Sequence, residues 1–268
     1  MTVAILGVGA MGGALLTGLL QAGWDQADIR VGEARPERRR EISQQYGLTA
    51  RRSADAVRGA EVVVVVVKPQ DIADLLDDIG PALSPAALVV SLAAGVTTAT
   101  IEAHLPAGHP VVRVMPNTPA LVGAAMSAIA AGGAAGPEHL DMAERILAAV
   151  GQTLVVPEKY LDAVTAISGS GPAYVMFVAE AMIDAGVVLG LPRSTATELV
   201  KQTVYGSAKL LLESGQHPTV LKENVTSPGG TTAAALRAFE DHRVKAAFID
   251  AMEAACQRSA ELGRGPGA

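Results

Sequence analysis

The first thirteen residues constrain the fold more than any other stretch of the chain. Val3–Leu6 is a short β-type run, followed directly by Gly7-Val8-Gly9-Ala10-Met11-Gly12-Gly13, and residues 14–21 read as a helix. Strand, GxGxxG turn and helix in that order open a dinucleotide-binding unit. Gly7 permits the tight turn, Gly9 lets a pyrophosphate approach the backbone, and Gly12 lets the helix pack closely on the strand. The same glycines without a strand before them would be weak evidence, and an ordinary βα turn is the plain alternative.

The next hundred and forty residues repeat this alternation. Ile29-Arg30-Val31 reads as the second strand, and Glu33 follows at the position where an acid binds a ribose hydroxyl and favours NAD. Arg35, Arg38, Arg39 and Arg40 come next; one of them, Arg35 first, can bind a 2′-phosphate and favour NADP. The two signals conflict, and the arginines tip the expectation toward NADPH, with NADH as the alternative. Residues 62–67 are six valines, the pattern of a parallel strand buried on both faces. They end at Lys68-Pro69, where a strand terminus meets the cofactor edge of such a sheet. Residues 88–92 form a further strand before Ala93-Ala94-Gly95, small enough to pack against a flat ring. Val111–Met115 leads into Pro116-Asn117-Thr118-Pro119, a stiff turn at the same edge that brings Asn117 to the cofactor. Residues 124–130 and 153–156 add strands, with a helix over 137–150 between them. The alternation predicts a doubly wound sheet over residues 1–156.

After Glu158 the β-type runs stop. Residues 162–168 and 174–189 read as helices, broken by Gly169-Ser170-Gly171-Pro172; Arg193–Ser214 and residues 243–262 are further helices. The second domain, 157–268, is therefore expected to be all-α. Residues 174–189 carry only Glu180 and Asp184 as charges, so the helix must be covered on most sides. A helical domain of this size has little interior, and the expectation is burial against a second subunit.

Residues 227–236, SPGGTTAAAL, are a loop ending at a helix start. The first amides of a helix have no internal partners and lie at the positive end of its dipole. Gly229 and Gly230 let those amides approach a small anion, and a carboxylate would suit. The Thr231 and Thr232 hydroxyls can then hold another atom of the same molecule.

Composition excludes several classes. The formal charge is −6 and aromatic residues are 3% of the 268, which disfavours nucleic acid. Cys256 is the only cysteine, so no internal disulfide forms, and no Cys/His/Asp cluster has metal spacing. Met1 runs straight into the first strand without the basic region of a signal peptide, and the six-valine run is too short to span a bilayer. The expectation is a cytoplasmic protein with no membrane partner. The five histidines lie outside the glycine motifs and strand ends, leaving no evident base for an alcohol substrate. A site of hydroxyls and amides suits a substrate that is already electrophilic, such as a C=N bond.

With GVGAMG, VKPQ, AAG, RVMPNTP, DAVTAISGSGPAY and SPGGTTAAAL in place, the whole chain resembles pyrroline-5-carboxylate reductase, the last enzyme of proline biosynthesis. The resemblance implies NAD(P)H-dependent reduction of 1-pyrroline-5-carboxylate to L-proline. It implies that Leu6, Gly7, Val8, Gly9, Ala10, Met11 and Gly12 bind the pyrophosphate. Ser53, Lys68, Pro69, Ala93, Ala94 and Asn224 match cofactor-lining positions, and Glu158 matches a position lining the substrate site. Ser227, Gly229, Gly230, Thr231 and Thr232 match the loop that takes the substrate carboxylate and ring nitrogen, with Thr232 at the nitrogen. The family pattern after the second strand differs from Gly32-Glu33-Ala34-Arg35 here. The resemblance also implies a homodimer formed through the helical domain, with further assembly into a decamer, and a site that combines one subunit's nucleotide domain with its neighbour's helices. Two rival readings are an imine reductase for a six-membered imino acid and a dinucleotide-binding sensor without activity.

Overall fold

The computed structural model describes residues 1–264, which fold as two compact units. Met1–Ser170 and the described residues from Ala255 onward form the first, and Gly171–Ala254 the second.

The first unit is built on one eight-stranded sheet. Its strands are β1 (Val3–Leu6), β2 (Ile29–Gly32), β3 (Ala50–Arg51), β4 (Val62–Val65), β5 (Leu88–Ser91), β6 (Val111–Met115), β7 (Ala125–Ala131) and β8 (Gly151–Val155), in the order β3-β2-β1-β4-β5-β6-β7-β8. β1 to β6 are parallel, with Val3 opposite both Ile29 and Val62, and Val63 opposite Val89. β7 runs antiparallel to β6, with Val114 opposite Ile129, and parallel to β8. The valine run is a strand for four residues rather than six: Val66 still bonds Leu6, but Val66 and Val67 curve off into the Lys68 turn.

All four β4 valines have 0% exposure, as an apolar strand flanked by strands and helices requires. Alternate residues serve opposite faces. Val3, Ile5, Val62 and Val64 pack with Leu15, Leu16 and Leu19 of α1 (Ala10–Gln21), Ile42 of α2 (Pro36–Tyr46) and Ile146. Ala4, Leu6, Val63 and Val65 pack with Ile72, Leu76 and Ile79, and with Ile101. The remaining helices of this unit are α3 (Ser53–Ala56), α4 (Ile72–Ile79), α5 (Thr98–Ala103), α6 (Pro137–Leu147) and α7 (Leu161–Val164). Two faces of helix on a mostly parallel sheet are the Rossmann-type architecture read from the sequence.

The expected helix break at Gly169–Pro172 is absent. α7 passes through a π-helical turn, Thr165–Gly169, into α8 (Gly171–Val188), with Ser170 N donating to Thr165 O at 2.8 Å. Pro172 has no N–H to give the carbonyl four residues back, that of Ser168. Asn117 Nδ2 donates to that carbonyl instead, at 3.1 Å. The bulge is thus tolerated because a side chain from the β6–β7 connection takes over one backbone partner.

The second unit contains α8, α9 (Arg193–Ser214), α10 (Pro218–Asn224), α11 (Thr231–Asp241) and the first half of α12 (Val244–Arg264). It has almost no core of its own. Within residues 171–254 only Ala196 and Val200 are buried, while Met176 is 65% and Phe177 70% exposed. Among the described residues, Glu158–Val188 is long and apolar enough to cross a membrane by length and composition.

Candidate active site

The C-terminal ends of β1, β4, β5 and β6 lie along one edge of the sheet, because these strands are parallel. The glycine turn sits at the end of β1. Gly7 has φ +92°, and a Cβ there would lie 2.7 Å from Val66 O. A side chain on Gly12 would strike Gly7 O, so Gly12 permits the turn to close on the helix. A Cβ on Gly9 would meet nothing within 4 Å. Gly9 therefore faces open space at the start of α1, where it is the N-cap without a capping side chain. A bare helix N-terminus beneath an open glycine fits a pyrophosphate.

Beside it is a cleft of about 980 Å³. Gly7, Val8, Gly9, Arg35, Ser53 and Lys68 line it, together with Glu33, Arg38 and Arg52. Leu6 is buried at the end of β1, and Ala10, Met11 and Gly12 form the first turn of α1. Pro69 follows Lys68 as the first residue of a 3₁₀ turn. Ala93 is buried and Ala94 exposed after β5, in a turn that Gly95 completes at φ +78°.

The arginines after β2 are not equivalent. Arg38 Nη2 donates to Val8 O at 3.1 Å and Nη1 to Glu41 at 2.8 Å; the Glu41 hydrogen bond holds its pKa above the ordinary arginine value, against slight desolvation. Arg39 Nη1 donates to the carbonyls of Glu33 and Ala34, at 2.9 and 2.7 Å. Both are tied to the loop they support. Arg35 is 73% exposed and bonds Glu33 Oε1 through Nε at 3.3 Å. The partners of Arg35, Arg38 and Arg39 are what separate them.

Asn117 and Glu158 are committed within the fold. Besides donating to Ser168, Asn117 accepts through Oδ1 from Met126 N at 3.0 Å. Glu158 accepts from Thr98 N at 2.8 Å, Thr98 Oγ1 at 2.6 Å and Arg113 Nη1 at 3.1 Å. Burial alone would raise its pKa, but the Thr98 hydrogen bonds and the Arg113 guanidinium outweigh that and hold it below the ordinary glutamate value. Both oxygens of the expected substrate ligand are therefore already engaged, at the first helical residue of α5 and at the buried Arg113 of β6. Thr98 and Arg113 escaped the sequence reading, since nothing local marks a threonine and an arginine 45–60 residues from their acceptor.

In the second unit, α10 and α11 frame residues 225–230. Gly229 has φ +69°, and Gly230 N donates to Ser227 O at 3.0 Å. Gly230 is the N-cap of α11 and offers no side chain, so Thr231 and Thr232 are the first two helical residues rather than caps. The amides of that first turn have no capping side chain, as an anion site needs. A Cβ on Gly230 would strike Ser227 Oγ, which keeps Ser227 folded over the turn. Ser227 and Thr231 are exposed, and Thr232 is half-buried. Asn224 is exposed at the last position of α10.

Comparison with known proteins matches both parts of the chain. Residues 158–262 match the family described as pyrroline-5-carboxylate reductase dimerisation, and residues 2–95 match that described as NADP oxidoreductase coenzyme F420-dependent. A pyrroline-5-carboxylate reductase of Mycobacterium tuberculosis is 44% identical over 97% of this chain and 96% of its own length. The solved pyrroline-5-carboxylate reductase of Coxiella burnetii has a TM-score of 0.92 and 35% identity, covering 97% of this chain and 98% of that one. That of Plasmodium falciparum, with NADP bound, has a TM-score of 0.87 and 32% identity over 98% of each chain. A Rossmann-type sheet with a pyridine-nucleotide cradle, followed by a helical dimerisation domain and matched end to end by these relatives, means that the chain belongs to the pyrroline-5-carboxylate reductase family.

Proposed function

We propose that the chain carries out the family reaction, reduction of 1-pyrroline-5-carboxylate to L-proline, with NADPH as the preferred reductant and NADH as the alternative. The observation that carries this reading is that the first unit has an open glycine cradle at the start of α1 and the second, taken by itself, an uncapped helix start at α11 with a threonine at its second position. A bound nicotinamide nucleotide supplies the hydride. Gly7, Val8 and Gly9 hold its pyrophosphate with the first turn of α1, residues 10–12. Ser53, Lys68, Pro69, Ala93, Ala94 and Asn224 line its remaining length, and Arg35 takes the 2′-phosphate. Asn117 serves the cofactor by stiffening the turn at this edge, through its bonds to Ser168 and Met126.

The substrate carboxylate is held by the α11 amides, with Ser227, Gly229, Gly230 and Thr231 shaping the turn around it. Thr232 Oγ1 meets the ring nitrogen, accepting from its N–H or relaying a proton. A protonated imine needs no base to take a hydride, so the chain's task is orientation and one placed hydrogen bond. We assign Glu158 to the lining of the substrate site, with Thr98 and Arg113 fixing its carboxylate. Functionally, residues 1–156 are the nucleotide domain and 157–268 the substrate and dimerisation domain. The protein works as a cytoplasmic homodimer, assembled further into a decamer, and the apolar Glu158–Val188 stretch is covered by a second subunit rather than by lipid.

One assay tests the activity: NADPH and NADH oxidation with 1-pyrroline-5-carboxylate beside its six-membered analogue, with proline measured as product. Turnover of the five-membered ring is expected. Turnover of the six-membered ring alone would reassign the substrate, and no turnover of either would leave only nucleotide binding.

A further inference from the structure

A second cavity of the first unit, about 860 Å³, opens at the sheet edge formed by β3. Three arginines line it: Arg30 from β2, Arg51 from β3 and Arg58 from the turn after α3. The parallel register sets Gly32 opposite Arg51, so Arg30 and Arg51 project from the same face of the sheet. That face carries α3, since a Cβ on Gly32 would lie 3.1 Å from Ser53 Cα and 3.4 Å from Ala56 Cβ. The chain turns back directly after α3, which brings Arg58 against β2, and Arg30 Nη1 donates to Arg58 O. The cavity shares no lining residue with the cleft beside Gly7, Val8 and Gly9.

The cluster is short of negative charge, in a chain with 27 acidic side chains against 21 lysines and arginines. Among the described residues Arg30 and Arg51 have no ion-pair partner, and Arg58 reaches only Asp55, at 3.8 Å, with both side chains more than half exposed. Elsewhere in this unit Arg38 meets Glu41 at 2.8 Å and Arg113 meets Glu158 at 3.1 Å. Three guanidinium groups gathered around one distant carboxylate repel one another, and an anion among them relieves that repulsion. A planar carboxylate is matched by a single guanidinium fork, whereas a tetrahedral phosphate offers oxygens to forks that arrive from several backbone positions. Gln26 and Thr49 add neutral hydrogen-bonding groups to the wall, and the volume is larger than a phosphate group alone fills.

We infer that this cavity binds the phosphate group of a small phosphate monoester, with Arg51 and Arg58 as its ligands and Arg30 as the brace that holds the Arg58 turn. The site is separate from the nucleotide cradle and independent of the proposed reaction.

The test is calorimetric titration of inorganic phosphate and of phenyl phosphate into the full-length protein, with excess NADP⁺ present and ionic strength held constant with sodium chloride. Succinate serves as a planar dianion of the same charge. Saturable binding of both phosphates, tighter than that of succinate, is expected. R51Q and R58Q should each weaken phosphate binding by about five- to tenfold, the lower end for a hydrogen bond between charged groups, because both side chains are exposed. D55N removes the one opposing charge and should strengthen binding by about two- to threefold. Melting curves check that the variants stay folded. No saturable binding to the wild type, equal affinity for succinate, or affinities unchanged in R51Q and R58Q would overturn the inference. Loss of binding in R35Q instead would place the anion in the cofactor cleft and overturn it equally.

Discussion

Thr232 is the residue on which the proposed chemistry turns. Its two possible roles separate cleanly, because Gly230 is the N-cap and the threonine caps nothing. As the imine carbon becomes tetrahedral, the nitrogen changes from planar iminium to amine and needs a fixed partner. Thr232→Ala should lower kcat by about ten- to a hundredfold, the value of a hydrogen bond to a charged group. Its melting temperature should stay close to wild type, since the loss of about 1 kcal/mol that follows removal of a cap does not apply. Thr232→Ser keeps the hydroxyl and should retain much of the activity. Thr231→Ala should act mainly on KM, because that position contributes its amide. Steady-state kinetics with melting curves check all three; an unchanged kcat in Thr232→Ala would remove the residue from the chemistry.

At the scale of elements, the junction between α7 and α8 is the feature whose energetics can be isolated. A helix that carries proline in its first turn and a π-helical turn before it is held here by Asn117 donating to Ser168 O, from 51 residues away. Asn117→Ala leaves that carbonyl and Met126 N without their partner, and should cost about 1–3 kcal/mol. Pro172→Ala restores an N–H at the position that ordinarily serves Ser168 O. In that background Asn117→Ala should cost about 1 kcal/mol less, the remainder reporting the Met126 bond. Urea unfolding of the two single variants and the double variant, at fixed protein concentration, measures the coupling. Strict additivity would mean that the Ser168 contact carries no weight.

At the scale of the whole molecule, the two units differ in how much they bury within one chain. The first unit buries two apolar clusters against its sheet, whereas the second has Ala196 and Val200 as its only buried residues. Faces carrying Met176, Phe177, Tyr205 and Leu212 at more than half exposure are those of a core cut in two. The match of residues 158–262 to a dimerisation family says what kind of partner fits them. Dilution should therefore reduce helicity and activity together, with no compact active monomer. Sedimentation and circular dichroism at the lowest workable concentration check this, and a folded, active monomer would refute it.

What the sequence determined by itself is whatever depends on short-range pattern. The glycine turn, the fully apolar β4, the switch from strands to helices after Glu158 and the loop before α11 all rest on residues a few positions apart. Their backbone preferences and periodicity act locally. Tertiary structure decided the contacts that span long stretches of chain. The reversal of β7 against β6 follows from their nine-residue connection, too short for a parallel crossover, whereas the choice of partners by Asn117 and Glu158 came from packing. The family resemblance placed Glu158 in the lining of the substrate site, and its partners were not legible: in the folded chain Thr98 and Arg113 arrive from 60 and 45 residues away and donate to its two oxygens. Arg35, Arg38 and Arg39 are indistinguishable as letters, and only the carbonyls and carboxylates placed within about 3.3 Å of each tell them apart. A buried or half-buried polar group takes the nearest partner the fold provides, and that partner is fixed by the path of the backbone rather than by the residue's neighbours in sequence.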